Sequence, residues 1–251
     1  MIGIIYDGSF EGLLTCIYEV YYRKENPSFI WSKKVYIEKT EGTLFSLLEP
    51  PLYINTDMDK YNKVYNAILN KISQDSLETI YNVYLSEVDD FEMLILSFVI
   101  FGFKTGFDTN KHMQDDRVLT MLKTEQKVLF EAHRMLGFIR FERYVDFYYA
   151  EFEPDNNITA IVTPHFVSRM PDERFIIHDI KRETASIYDK YNWYITSLTK
   201  DEISKFIINK NNCYEDLWKS YFKSASISER KNERNQKRQM PKRYWKHLPE
   251  I

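Results

Sequence analysis

A chain of 251 residues with 44% hydrophobic and 28% charged side chains can bury a sizeable core and is composed like an ordinary globular protein. Only 7 glycines argue against a glycine-rich phosphate-binding fold. The two cysteines, Cys16 and Cys213, supply neither a disulfide framework nor a cysteine-ligated zinc or iron–sulfur centre. The net charge of −3 conceals an asymmetry: Ser228 to His247 holds eight Lys/Arg and two Glu, a net of +6, leaving −9 on the remainder. Whole-chain charge therefore does not exclude an anionic partner.

The N-terminus has no basic start ahead of its short apolar run, and no signal peptide is expected. The most apolar run, Met93 to Phe103, is shorter than the roughly 20 residues of a membrane span. The expectation is a cytoplasmic protein with no membrane association.

In chain order, Ile2 to Tyr6 reads as a buried strand and Asp7-Gly8-Ser9 as a turn and cap. A helix over about Phe10 to Arg23 puts Leu13, Leu14, Ile17, Tyr18 and Tyr21 near one face. Its N-terminus could bind an anion, but Glu11 in the first turn opposes that, so simple capping by Ser9 or Asp7 is favoured. Pro27 breaks the chain, and Val35 to Ile37 is expected as a short strand. Helices follow over about 57–71, 74–86 and 89–103, the last apolar on most sides and therefore central. Asp115 and Asp116 start another helix, which is expected to stop at Gly137.

Beyond that point aromatic, alternating segments replace helical periodicity. Phe138 to Tyr144 and Asp146 to Phe152 are close enough to form a hairpin. A turn at Pro154 to Asn157 leads into a short helix over Ile158 to Val167. Arg174 to Ile180 and Glu183 to Asp189 read as two strands with a turn near Lys181 and Arg182, and Trp193 to Thr196 adds a third. A last helix is expected over about 200–223. The fold class is α+β: a mostly helical N-terminal half, then a small antiparallel sheet. No repeat or low-complexity linker appears, so residues 1–225 are expected as one compact domain. Residues 226–251 would form a basic, aromatic tail packed on or beside it.

In the tail, Ser228 is expected to cap a helix through about Gln239, which Pro241 ends. Arg230, Arg234, Lys237 and Arg238 are spaced to follow a phosphate backbone while Tyr244 or Trp245, beside Arg243, stacks on bases. The competing reading is a solvated helix whose end is pinned to an acidic body by Tyr244, Trp245 and Leu248.

Candidate polar chemistry concentrates between Glu131 and Arg182. His133, His165 and His178 each lie near an arginine or aspartate. Adjacent strand positions point His178 and Asp179 to opposite faces, and Asp179 can pair with Arg182 across the turn. The histidine spacing matches no metal motif such as HExxH, so no metal and no cofactor is expected. Arg134, Arg140, Arg169 and Arg182, with His133, suit phosphate, because guanidinium forks match its geometry. Salt bridges to Asp and Glu compete with that reading. His165, His178 and Asp179 are the candidates for acid/base catalysis.

Several stretches together resemble one family. They are YDGSFEGLLTCIYE at 6–19, HRMLGFIRF at 133–141, PDNN at 154–157, PHFVSR at 164–169, IHDIKR at 177–182, and the ERKN and MPKRYWKHLPE segments within 229–250. The set resembles the bacterial "probable DNA metabolism protein" family, whose members are encoded beside a radical-SAM protein of DNA modification or repair. Similar domains also occur fused to uracil-DNA-glycosylase-like domains. The resemblance implies a DNA-repair context but carries no catalytic residues to transfer. With two distant cysteines this chain would be the companion of the radical-SAM enzyme, which needs three for its cluster.

Three expectations result. The first is a DNA-binding accessory protein acting with a radical-SAM partner. The second is a hydrolase, nuclease or glycosylase-like, using a His/Arg/Asp pocket on damaged DNA or a nucleotide. The third is a protein-interaction scaffold without nucleic-acid binding.

Overall fold

The computed structural model describes residues 2–41, 50–204 and 232–248. The chain divides into two compact units, Met1–Val128 and Leu129–Ile251. In the first, the apolar run after Ile2 becomes β1 (Gly3–Tyr6), buried along its whole length. A strand covered on both faces needs no alternation. β1 is the centre of a parallel three-stranded sheet, between β2 (Phe29–Ser32) and β3 (Leu52–Tyr53).

α1 (Phe10–Arg23) is the crossover from β1 to β2, and its start is closed by its own sequence. Ser9 Oγ accepts from the Gly12 N–H at 2.9 Å, while Asp7 Oδ1 takes both the Ser9 N–H and the Ser9 hydroxyl. Thr56 donates to the other Asp7 oxygen at 2.6 Å. A Cβ at Gly12 would lie 2.2 Å from Asp7 Oδ1, and Gly8 has a positive φ of 90°. The motif DGSFEG is thus a cap that two glycines allow to close, in line with the capping reading of this terminus.

The strand expected at Val35 to Ile37 is instead part of α2 (Lys33–Thr40). Ser32 decides this: its hydroxyl accepts from the Val35 N–H and starts the helix, while pairing with β1 is completed upstream by Phe29 to Ser32. α2 buries none of its residues, so Val35 and Ile37 carry a misleading alternation.

α3 (Met58–Lys71), α4 (Gln74–Tyr84) and α5 (Phe91–Thr105) complete the core of this unit, with Leu13, Leu14, Ile68, Ile80 and Phe98 fully buried. Cys16 is buried there too, and burial pushes its thiol up to about 12. One acid is also buried. Glu92 of α5 accepts from the Tyr6 hydroxyl at 3.2 Å, and desolvation pushes its carboxyl up from 4.5 to about 7. Because the folded form then holds a proton that the unfolded chain has released, this group's contribution to stability falls as pH rises from about 4.5 to about 7. Glu92→Gln should flatten that slope by up to about 3 kcal/mol, read as urea midpoints between pH 5 and pH 8. An unchanged slope would show that Glu92 titrates like an exposed acid.

α6 (Asp116–Phe138) contributes Val118 and Met121 to the first unit and Glu131, Ala132 and Met135 to the second. Gly137 does not stop it. That residue is helical, and Arg140 Nη1 donates to its carbonyl at 2.6 Å, satisfying the frayed end.

The second unit holds a five-stranded sheet in the order β4-β5-β6-β7-β8. β4 (Glu142–Arg143) and β5 (Tyr148–Phe152) form the expected hairpin. β6 (Phe175–Asp179), β7 (Thr184–Tyr188) and β8 (Trp193–Ser197) form an antiparallel meander. The sheet is nevertheless mixed, because β5 and β6 are parallel. The helix read between them, α7 (Thr159–Arg169), is the reason: a crossover helix returns the chain in the same direction, as a tight turn cannot. α8 (Lys200–Ser204) begins the helix expected over 200–223, and the rest of that segment lies outside the described residues. No helix among the described residues is long and apolar enough to cross a membrane.

Candidate functional site

The polar centre of the second unit is Glu131, an acid on α6 that is 6% exposed. Both its oxygens are used. Oε1 accepts the Asp155 N–H at 2.6 Å and the Tyr244 hydroxyl at 2.5 Å. Oε2 accepts the Asn156 N–H at 2.8 Å and its side-chain amide at 2.6 Å. The Pro154 to Asn157 turn is thereby bound to a helix through its main chain. Burial beside Glu131 pushes the Tyr244 hydroxyl well above the usual tyrosine range.

The same turn is held from its other side by the β6–β7 connection. Arg182 Nη1 reaches Asp179 Oδ2 at 2.6 Å and the Pro154 carbonyl at 3.2 Å, and Nη2 reaches the Asp155 carbonyl at 2.5 Å. Asp179 Oδ1 accepts the Lys181 and Arg182 N–H groups, so the turn following β6 is capped by the aspartate that also pairs with the guanidinium. The Asp179–Arg182 pairing read from the spacing is therefore present. Arg182 serves the protein's own carbonyls and carboxylate.

Beyond Asn232, which caps it, α9 (Glu233–Gln239) leads into a 3-10 turn over Lys242–His247. Tyr244 and Leu248 are buried, and the Trp245 indole N–H donates to the Met240 carbonyl at 2.9 Å. Arg243 pairs with Asp155 at 2.6 Å, and Lys246 pairs with Glu153. Tyr244 is thus an anchor and does not offer its ring faces for stacking. Arg234, Lys237 and Arg238 of α9 are exposed. Lys237 pairs with Glu233, whereas Arg234 and Arg238 form no ion pair with another described residue. Arg230 and Ser228, placed by the sequence in the same helix, lie outside the described residues.

His178 occupies a separate polar position on β6. It is fully buried, although alternation predicted opposite faces for it and Asp179: the sheet is covered on both sides here. Nε2 lies 2.8 Å from the Leu198 carbonyl, an acceptor only, so Nε2 carries the proton. The Tyr149 hydroxyl lies 2.7 Å from Nδ1 and 3.1 Å from Glu151 Oε1, and its single hydrogen serves one of these two acceptors at a time. Desolvation holds the imidazole below its ordinary value. The arrangement is a buried Tyr–His pair, reached by the half-buried Glu151, and the His178 Nε2 hydrogen bond ties down the residue that follows β8.

The remaining candidates are dispersed. His133, Arg134, His165 and Arg169 are exposed on α6 and α7. None of these four side chains hydrogen-bonds to a described residue; the His165 ring packs edge-on against Phe166 at 5.1 Å. Arg140 caps α6. What the structure brings together is Glu131, Asp155, Asn156, Asp179, Arg182, Arg243 and Tyr244. Glu131, Asp155 and Asn156 are absent from the sequence-derived site. Their signal was the PDNN turn itself, a short polar segment with nothing local to explain it. Among the described residues no group of three or more His, Cys, Asp or Glu is placed to hold a metal ion.

These features define an α+β domain whose C-terminal basic segment is docked onto a polar turn through a buried carboxylate. A family of domains of unknown function, DUF4130, matches residues 89–250, and the chain belongs to that family. No curated protein and no solved structure matches it.

Proposed function

We propose that this is a cytoplasmic nucleic-acid-binding accessory protein of DNA repair or modification, acting beside a radical-SAM enzyme. The observation carrying the binding half is α9: three exposed cations, two of them without an ion-pair partner among the described residues, on a helix that leads into the turn anchored by Tyr244. A charged surface held rigidly loses little entropy on meeting a phosphate backbone. The DNA-repair context and the radical-SAM companion come from the resemblance of the segments quoted above. Catalysis by His178 and Asp179 has less support, since both are sealed and their hydrogen-bonding atoms are engaged.

The test is anisotropy of labelled single- and double-stranded oligonucleotides across a salt series. The triple variant Arg234→Glu/Lys237→Glu/Arg238→Glu is compared with wild type. Removing three phosphate contacts should weaken binding at least tenfold and reduce the salt slope by about 2 on single strands and about 3 on duplex. Truncation is a poorer test, because it also removes Tyr244 from Glu131. No binding at low salt by the wild-type protein would end the proposal; an unchanged slope in the variant would remove α9 from it. Copurification with the radical-SAM protein tests the partner separately.

A further inference from the structure

β8 is the outermost strand of the five-stranded sheet, and its outer edge meets no other strand among the described residues. The phase of its ladder is known. Leu198 N–H donates to the Glu183 carbonyl, and Asp189 N–H donates to the Asn192 carbonyl. Even-numbered residues of β8 therefore turn their main chain toward β7, and Trp193, Ile195 and Ser197 turn theirs outward. The side chains on this edge are large and exposed: Tyr191 87%, Trp193 37%, Tyr194 52% and Ile195 45%.

Open edges are ordinarily blunted by Lys, Pro or a bulge. From Tyr191 to Thr199 there is no charge and no proline. We propose that β8 pairs antiparallel with β8 of a second copy of this chain, centred on Ile195, so that two five-stranded sheets become one across a two-fold axis. This inference is independent of nucleic-acid binding.

Three observations select a second copy as the occupant. First, the outward main-chain phase puts Ile195 opposite itself and Trp193 opposite Ser197, all at hydrogen-bonded positions. That register makes about six main-chain bonds. Second, a two-fold strand pair sets each residue against a fixed counterpart, so charges in the strand would be penalised, and this one has none. Beyond its ends this register sets like against like, Asp189 with Asp201 and Lys190 with Lys200, so the pairing is confined to the uncharged run between them. Third, the area suffices for a reversible contact. Taking about 150–250 Å² for each aromatic side chain, the exposed parts of Tyr191, Trp193 and Tyr194 offer roughly 350 Å² per chain. With Ile195 and the strand backbone, two chains can bury at most about 1,000 Å², which reaches the lower bound for specific association and marks the contact as a weak, reversible one. Single-stranded nucleic acid would also use the aromatics, but it needs cations beside them, and the strand has none.

Sedimentation of the 251-residue chain over a wide concentration range tests this. Wild type is expected to pass from its 30.3 kDa monomer to a dimer as concentration rises. Ile195→Lys should abolish the dimer by setting two ammonium groups against each other. Ile195→Pro is the control for folding. Its lost N–H points away from β7, so the sheet survives, with an unchanged melting temperature, while the dimer is lost. Arg238→Glu should leave the dimer intact. A wild-type protein monomeric at every concentration overturns the proposal, as does a dimer indifferent to both Ile195 variants. So does a monomer whose affinity for an oligonucleotide falls on Trp193→Ala, which would assign the edge to nucleic acid.

Discussion

Glu131→Ala is expected to destabilise the second unit by about 3–5 kcal/mol. The substitution leaves the Asp155 and Asn156 N–H groups, the Asn156 amide and the Tyr244 hydroxyl without their acceptor. Each buried donor abandoned in this way costs about 1–3 kcal/mol, less where water can enter. Measured by urea unfolding, the midpoint should fall by about 1–2 M at an ordinary slope for a domain of this size. Glu131→Gln retains one accepting oxygen but turns an NH₂ toward donors, and should lose half or more of the same amount. Tyr244→Phe removes a single donor and should cost about 1–2 kcal/mol. The double variant Glu131→Ala/Tyr244→Phe should then cost less than the two singles together, because no orphaned hydroxyl remains. Additivity would mean that the Tyr244–Glu131 contact contributes nothing of its own. A loss below about 0.5 kcal/mol for Glu131→Ala would show that water replaces the carboxylate without penalty.

Arg182→Met should be comparably damaging, and more so than Asp179→Asn. The arginine side chain is 12% exposed and the aspartate 0%, so removing the guanidinium strands a carboxylate with no access to water. Breaking one side of such a pair costs about 3–5 kcal/mol. Asp179→Asn keeps an oxygen for the Lys181 and Arg182 N–H groups and loses mainly the ionic component. Arg182→Lys should rescue little, since one ammonium cannot reach Asp179 and the Pro154 and Asp155 carbonyls together. Asp179→Asn/Arg182→Met should be more stable than Arg182→Met alone, because the stranded charge is gone. A double variant worse than either single would mean that the pair does more than neutralise itself. The same Arg182 variants, assayed under conditions where they remain folded, should leave the salt slope of oligonucleotide binding unchanged, in contrast to the α9 charge reversal.

Whether a cation is available to a ligand is not a property of its sequence neighbourhood. Arg134, Arg169, Arg182, Arg238 and Arg243 all sit beside other polar residues and are equivalent as phosphate candidates on the page. Two of them are committed to the protein itself: Arg182 to a carboxylate and two carbonyls, and Arg243 to Asp155. The histidines repeat the point. His178 was as suggestive as His133 or His165, yet burial and two hydrogen bonds make it a brace for β8.

Local physical chemistry settled much of the rest from sequence alone. Hydrophobic periodicity located α1, α3, α4 and α5, and the cap residues of DGS explain where α1 starts. The alternating segments yielded β5 through β8, and the Asp179–Arg182 spacing announced its own ion pair. These features depend on residues within a few positions of one another. Tertiary structure decided what depends on distant ones. It made the sheet mixed, because a strand's direction follows from where the α7 crossover lands. It made Glu131 the polar centre, because its donors lie 24, 25 and 113 residues away, and a lone acid on a helix gives no local sign of them. It turned Tyr244 from a stacking surface into an anchor, because burial is set by what packs around a ring and not by the residues beside it.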